Sequence, residues 1–154
     1  MGAGKTTVAK LLANKLSQEF IDMDSMLLQK SGRSSIEEIF EKDGEVYFRE
    51  LEIELAKELK NKTNAIISAG GGVIMNKIIL DYLKPNSTVF FLKNSFETSR
   101  RRVRNNQRPL FQDIQKAQEL YQFRLPLYTY YADKTIETDE KTKHNIVSEI
   151  INSL

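Results

Sequence analysis

Apolar residues along this chain recur at two spacings, and the two spacings alternate. After an opening run of glycine, lysine and threonine, Val8, Leu11, Leu12 and Leu16 fall every three or four residues, the period of one helical face. Phe20-Ile21-Asp22-Met23-Asp24 reads as a short strand ending in two acids. Ser35-Ile36-Glu37-Glu38 has the form of a capping box and predicts a helix start. Leu51, Leu55 and Leu59 share one face of a helical stretch over 44–60. The apolar run over 65–69 is closed by Gly70, Gly71 and Gly72, which fits a buried strand entering a tight loop. A helix over 76–83 is broken at Pro85, and 88–92, β-branched and aromatic, is the strongest strand pattern in the chain. Helices over 95–103 and 115–130, the second interrupted at Pro126, precede a weak strand over 134–138 and a closing helix over 143–151. Strands alternating with helices predict an α/β domain with a parallel sheet covered on both faces.

Composition narrows the chemistry. The 154 residues suit one domain, residues 1–154. There is no cysteine, which excludes a disulfide scaffold, a thiolate nucleophile and any Cys-ligated metal. A single histidine, His144, excludes a site with two His ligands. Twenty-three basic residues against 21 acidic ones leave a net charge of +2, too balanced for bulk attraction to nucleic acid or membrane. No apolar run approaches the roughly 20 residues of a membrane span. The first seven positions, polar and glycine-rich, do not form a signal peptide. A soluble cytoplasmic monomer is expected, with no nucleic-acid or membrane partner.

Gly2-Ala3-Gly4-Lys5-Thr6-Thr7 matches the second half of the phosphate-binding loop G-x-x-x-x-G-K-[ST]. Glycines let successive backbone N–H groups turn inward as an anion nest. A helix starting near Lys5 aims its positive end at the same point. Lys5 can reach the β- and γ-phosphates, and the Thr6 hydroxyl can ligate Mg²⁺. The first motif glycine and the apolar strand before it are missing. Either the natural chain runs about ten residues further upstream (one strand plus loop), which is the preferred account, or the nucleotide site is impaired. A chain truly starting at Met1 is expected to be unstable, with strands 65–69 and 88–92 facing each other across an unpaired slot.

Five landmarks in order give the chain a resemblance to shikimate kinase, an ATP-dependent small-molecule kinase of the phosphate-loop class. They are Gly2-Ala3-Gly4-Lys5-Thr6-Thr7, Asp22-Met23-Asp24, Phe48-Arg49-Glu50-Leu51-Glu52, Gly70-Gly71-Gly72, and Arg108-Pro109-Leu110 followed by Arg124 with Leu127-Tyr128. Departures are the missing glycine and strand, Thr6-Thr7 for the commoner Ser-Thr, and Phe111 for the commoner second Leu. The resemblance implies a three-layer phosphate-loop kinase fold with parallel sheet order 2-3-1-4-5, strand 1 being absent from this chain. It also implies substrate-binding helices over about 24–60 and a lid over about 104–114.

The resemblance assigns roles residue by residue. ATP is held by Gly2, Ala3, Gly4, Lys5, Thr6 and Thr7, with Arg108 of the lid. One of Arg101 or Arg102 lies on the adenine. Mg²⁺, arriving with ATP, meets Thr6 and, through water, Asp22. Shikimate is bound by Asp24, Arg49, Glu52, Gly70, Gly71, Gly72 and Arg124. Lys5, Asp24 and Arg108 are the catalytic groups, with Asp24 the proton acceptor. Guanidinium suits Arg49 and Arg124, because its fork of donors matches a carboxylate in two-point contact. Asp22 and Asp24, two apart on a strand, would face the same side. Glu52 lies at i+3 from Arg49 and can orient it. The rivals are a gluconate kinase-like or other small-metabolite kinase, and a truncated non-catalytic nucleotide-binding module. A nucleic-acid patch at the arginines is disfavoured because no aromatic residue interleaves them.

Overall fold

The computed structural model describes residues 2–104 and 113–154. They fall into two compact units, Ala13–Ser87, and Met1–Leu12 with Thr88–Leu154.

In Ala13–Ser87, strand β1 (Glu19–Asp22) pairs in parallel with β2 (Ala65–Ser68), in the register Phe20 to Ile66 and Ile21 to Ile67. Parallel strands need a long crossover, and three helices supply it: α2 (Met23–Ser31), α3 (Ile36–Lys42) and α4 (Gly44–Leu59). Two single-turn 3₁₀ segments flank α5 (Lys77–Leu83). Met23, Leu27, Ile39, Leu55, Ala56 and Ile79 are buried together in this unit.

The expected strand over 20–24 stops two residues early. Asp22 turns the chain, its Oδ1 accepting from the N–H groups of Asp24 at 3.1 Å and Ser25 at 3.4 Å, and so caps α2. Met23 and Leu27, four apart, bury one face of this unanticipated helix, and Gly32 ends it in a left-handed conformation. The two acids therefore do not alternate along a strand. Asp22 is a cap, and Asp24 sits in the first helical turn.

Strand β3 (Phe90–Lys93) pairs in parallel with β4 (Lys134–Glu137), and the Lys93 ammonium meets Glu137 across the pair at 2.6 Å. Their ladder begins at residue 90, since the Val89 N–H donates to the Asp133 side chain at 2.8 Å. With β1–β2, these are the 2-3 and 4-5 pairings of the expected sheet. Helix α1 (Lys5–Leu16) follows the glycine loop; α6 (Phe96–Arg104), α7 (Ile114–Tyr131) and α8 (Lys143–Ser153) complete the chain. At the end of β3, buried Asn94 donates to the Ser99 hydroxyl at 2.7 Å, and the Tyr121 hydroxyl donates to the Asn94 carbonyl at 2.8 Å. Helix α7 passes through Pro126 without the expected break. Proline already holds a helical φ, and it deprives only the Gln122 carbonyl of its donor. Both residues are exposed, so water can replace that bond.

The capping box at α3 is displaced by one residue. Ser35 Oγ accepts from the Glu38 N–H as expected, but Glu38 reaches back to Ser34, accepting from its N–H at 2.8 Å and its hydroxyl at 2.6 Å. The Lys42 hydrogen bond, then those from Ser34, hold the Glu38 carboxyl at about 2 against an ordinary 4.5. Folding lowers this pKa, so its stabilisation is complete above about pH 4.5 and is lost as pH falls toward about 2. Thermal melts at about pH 4.5 and about pH 2.5 are expected to show a smaller fall for Glu38→Gln than for the native chain. Equal falls would exclude this contribution.

Candidate active site

The glycine loop is built for an anion. Gly2 and Gly4 have φ of +62° and +79°, a region closed to most side-chain-bearing residues. Nothing lies within 4 Å of a Cβ built on Gly4, so backbone conformation alone demands glycine there. The Gly4 carbonyl accepts the first helical bond, from the Val8 N–H at 3.0 Å. The N–H groups of Lys5, Thr6 and Thr7 then head α1 without intrahelical acceptors, facing the side from which a phosphate would approach. Buried Ala3 and Val8 anchor the turn, while Thr6 and Thr7 remain exposed.

A second cluster lies wholly within Ala13–Ser87. Helix α4 buries Phe48, Leu51, Glu52, Leu55, Ala56 and Leu59, an apolar stripe interrupted by a carboxylate only 2% exposed. A buried acid in such a stripe needs a partner. Glu52 Oε2 receives Arg49 Nη1 at 2.7 Å. Arg49 Nε and Nη2 donate to Glu45 Oε1 at 3.3 and 3.1 Å. Burial acts to lower the Arg49 pKa, but hydrogen bonds and charge from Glu52 and Glu45 outweigh it and leave the guanidinium raised. Phe48 and Phe40 flank the same group, at 5.3 and 6.0 Å from its central carbon.

Gly70 joins this cluster. A Cβ there would lie 2.8 Å from Asp24 Oδ1 and 3.9 Å from Glu52 Oε1. The space that a side chain would fill holds the carboxylate of Asp24. Asp24, Arg49, Glu52 and Gly70, drawn from three separate stretches of sequence, are thus adjacent. Gly70, Gly71 and Gly72 adopt no left-handed angles. The carbonyls of Gly70 and Gly72 accept from Val73 and Met75, closing the turn after β2.

The other arginines expected at the site belong to the other unit. Arg124, on α7, has a buried Nε with no hydrogen-bond partner among the described residues, while its guanidinium hydrogen-bonds the Tyr128 side chain. Tyr128 stands one turn on; burial raises its phenol pKa, with Arg124 opposing. Arg102 donates to the Thr138 carbonyl at 3.3 Å, whereas Arg101 is exposed. Arg108 and most of the expected lid lie outside the described residues. Sequence reasoning missed Phe40 and Glu45 as partners of Arg49. Glu45 was open to detection from its i,i+4 spacing; Phe40 had no local signal.

A glycine loop heading a helix, and in the other unit an exposed acid, a buried acid and an arginine brought together, define a phosphate-loop kinase acting on a small molecule. The shikimate kinase family model matches residues 1–154. A shikimate kinase of Sulfurihydrogenibium sp. is 39% identical over 156 residues, spanning 100% of this chain and 93% of the relative. The structure of shikimate kinase from Acinetobacter baumannii in complex with shikimate matches with a TM-score of 0.91 at 37% identity, covering 99% of this chain and 87% of that one. The Aquifex aeolicus enzyme matches at 0.86 and 37%, covering 99% and 90%. The chain belongs to the shikimate kinase family and has its α/β phosphate-loop kinase fold.

Gly70→Ala is expected to leave the melting temperature within a few degrees while forcing the Asp24 carboxylate aside. Displacement of a reacting group by an ångström can cost about 10²-fold in rate, and a fall of that order in kcat is the expected result. An unchanged kcat would show that Asp24 is not needed where the structure puts it.

Proposed function

We propose that this protein transfers the γ-phosphoryl group of MgATP to the 3-hydroxyl of shikimate. The observation that carries the reading is the adjacency of Asp24, Gly70, Glu52 and Arg49. An acid beside a glycine gap suits an acceptor hydroxyl, and an arginine held from behind by a buried acid suits an acceptor carboxylate. Arg49 and Arg124 bind that carboxylate, and the glycine turn, residues 70–72, lets the acceptor ring approach the backbone.

In the reaction, the acceptor oxygen forms a bond to the γ-phosphorus as the bond to the β-phosphate oxygen breaks, releasing ADP. Asp24 takes the hydroxyl proton. Lys5 and Arg108 offset charge on the transferring group, and the N–H groups at the start of α1 bind the phosphates. Arg101, exposed beside the tethered Arg102, is the arginine we assign to the adenine.

Mg²⁺ enters with the nucleotide. Thr6 presents an exposed hydroxyl in the first turn of α1. Asp22 spends Oδ1 on its cap, and among the described residues no hydrogen bond engages Oδ2. Both are hard oxygen donors of the type Mg²⁺ takes. Among the described residues no three acids or histidines are grouped so that they could hold a metal ion, and a nucleotide-borne Mg²⁺ needs no such group, because phosphates and water fill most of its sphere.

Turnover measured by ADP release against a panel of acceptors tests the proposal. Phosphorylation of shikimate in preference to gluconate is expected, and preference for another acceptor would overturn it. Asp24→Asn is nearly isosteric but cannot take the proton, so it should slow single-turnover transfer far more than it weakens ATP binding. Transfer at the native rate would exclude Asp24 as the base. Arg49→Lys keeps the charge but loses the fork, and should weaken shikimate binding by about 1–3 kcal/mol. A titration giving unchanged affinity would remove Arg49 from the site.

A further inference from the structure

Asp43 closes α3 and opens α4, and aspartate is among the best residues for capping a helix start. Its side chain makes no capping bond to α4. Both carboxylate oxygens go instead to Arg33, whose Nε donates to Oδ2 at 2.8 Å and Nη2 to Oδ1 at 2.6 Å. Arg33 stands just ahead of α3, immediately after the left-handed Gly32 that ends α2. The ion pair therefore ties together the two ends of seven-residue α3, and with them the end of α2 and the start of α4. Gly44, at φ +85°, sets the rest of that joint, at an angle L side chains rarely adopt.

The joint reaches the site through Phe40. This α3 residue packs its ring on Phe48 of α4, 4.7 Å between centroids, and lies 6.0 Å from the central carbon of the Arg49 guanidinium. The position of α3 thus bears directly on where Arg49 points. Isolated surface ion pairs contribute little. This one has two parallel bonds and is partly shielded, its side chains only 31% and 21% exposed.

We infer that Arg33 and Asp43 are positioning residues for acceptor binding: their two-point ion pair fixes the α3–α4 joint so that Phe40 holds Arg49 in place for the acceptor's carboxylate. The inference rests on the proposed function in taking Arg49 as the carboxylate ligand. The nucleotide-binding glycine loop lies outside Ala13–Ser87, so the effect should fall on the acceptor alone.

The test is steady-state kinetics on the full chain, with shikimate and ATP varied separately. Asp43→Asn keeps the shape and loses the charge, and is expected to raise KM for shikimate about tenfold while kcat and KM for ATP stay within about twofold. Arg33→Lys, which keeps the charge and loses the fork, should behave alike, and Asp43→Glu should recover most of the loss. As a readout free of turnover, the Arg49 Nε–H signal in NMR should shift and exchange faster in Asp43→Asn. Unchanged KM for shikimate with an unchanged Arg49 signal would overturn the inference. So would a joint decline in kcat and both KM values with a lowered melting temperature, which marks a general structural role. If the native chain does not phosphorylate shikimate, the functional reading fails by itself, and the Arg49 signal still decides whether the ion pair positions that side chain.

Discussion

A carboxylate buried in an apolar helix face must be partnered or it costs the fold several kcal/mol in desolvation, an order of magnitude set by the effective penalty for ions taken out of water. Glu52 is such a group, and Arg49 one turn earlier is a partner to it. The constraint runs both ways. The guanidinium offsets part of the cost of burying Glu52, and Glu52 with the Phe40 and Phe48 rings bounds the space the guanidinium occupies. Helix α4, with Phe48, Leu51, Leu55 and Leu59 buried alongside, holds both residues on a rigid element. Asp24 and Gly70 then have a fixed reference against which to be placed.

The glycine loop solves a different problem by different means. It needs no buried charge, only a backbone bent into left-handed angles at Gly2 and Gly4, with a helix started by the Gly4 carbonyl. Its donors are main-chain N–H groups, which have no rotamers to order. Side-chain clamps must be held by neighbours, whereas this one is held by the path of the chain.

Much of this was legible in the sequence, for reasons that can be traced to particular residues. Strands β2 and β3 were readable because Ile66, Ile67, Phe90 and Phe91 are β-formers bounded by turn residues. The glycine loop was readable because backbone geometry imposes its spacing. Helix α2 was not, since Asp22-Met23-Asp24 serves equally as a strand end or a helix cap, and only the burial of Met23 and Leu27 decides between them. The glycine triplet announced a close approach without saying to what; the answer, the Asp24 carboxylate, comes from a turn some 45 residues away in the chain. Phe40 against Arg49 depends on how α3 meets α4, and no periodicity encodes that angle. Pro126 misled because a helix-interior proline costs least where water can meet the carbonyl it leaves without a donor, and Gln122 and Pro126 are both exposed.

The acids around Arg49 carry a kinetic consequence. Asp24, Glu45 and Glu52 bring three formal negative charges to a face on which Arg49 supplies one positive charge. A carboxylate-bearing acceptor drifting toward that face from solution meets a field that is, on these four groups, repulsive at long range. These four groups offer an approaching carboxylate no long-range attraction, so what the Arg49 face can contribute is short-range, two-point contact, which distinguishes by shape. A guanidinium ringed by acids is thus suited to discriminating among carboxylates at contact, not to collecting them from a distance.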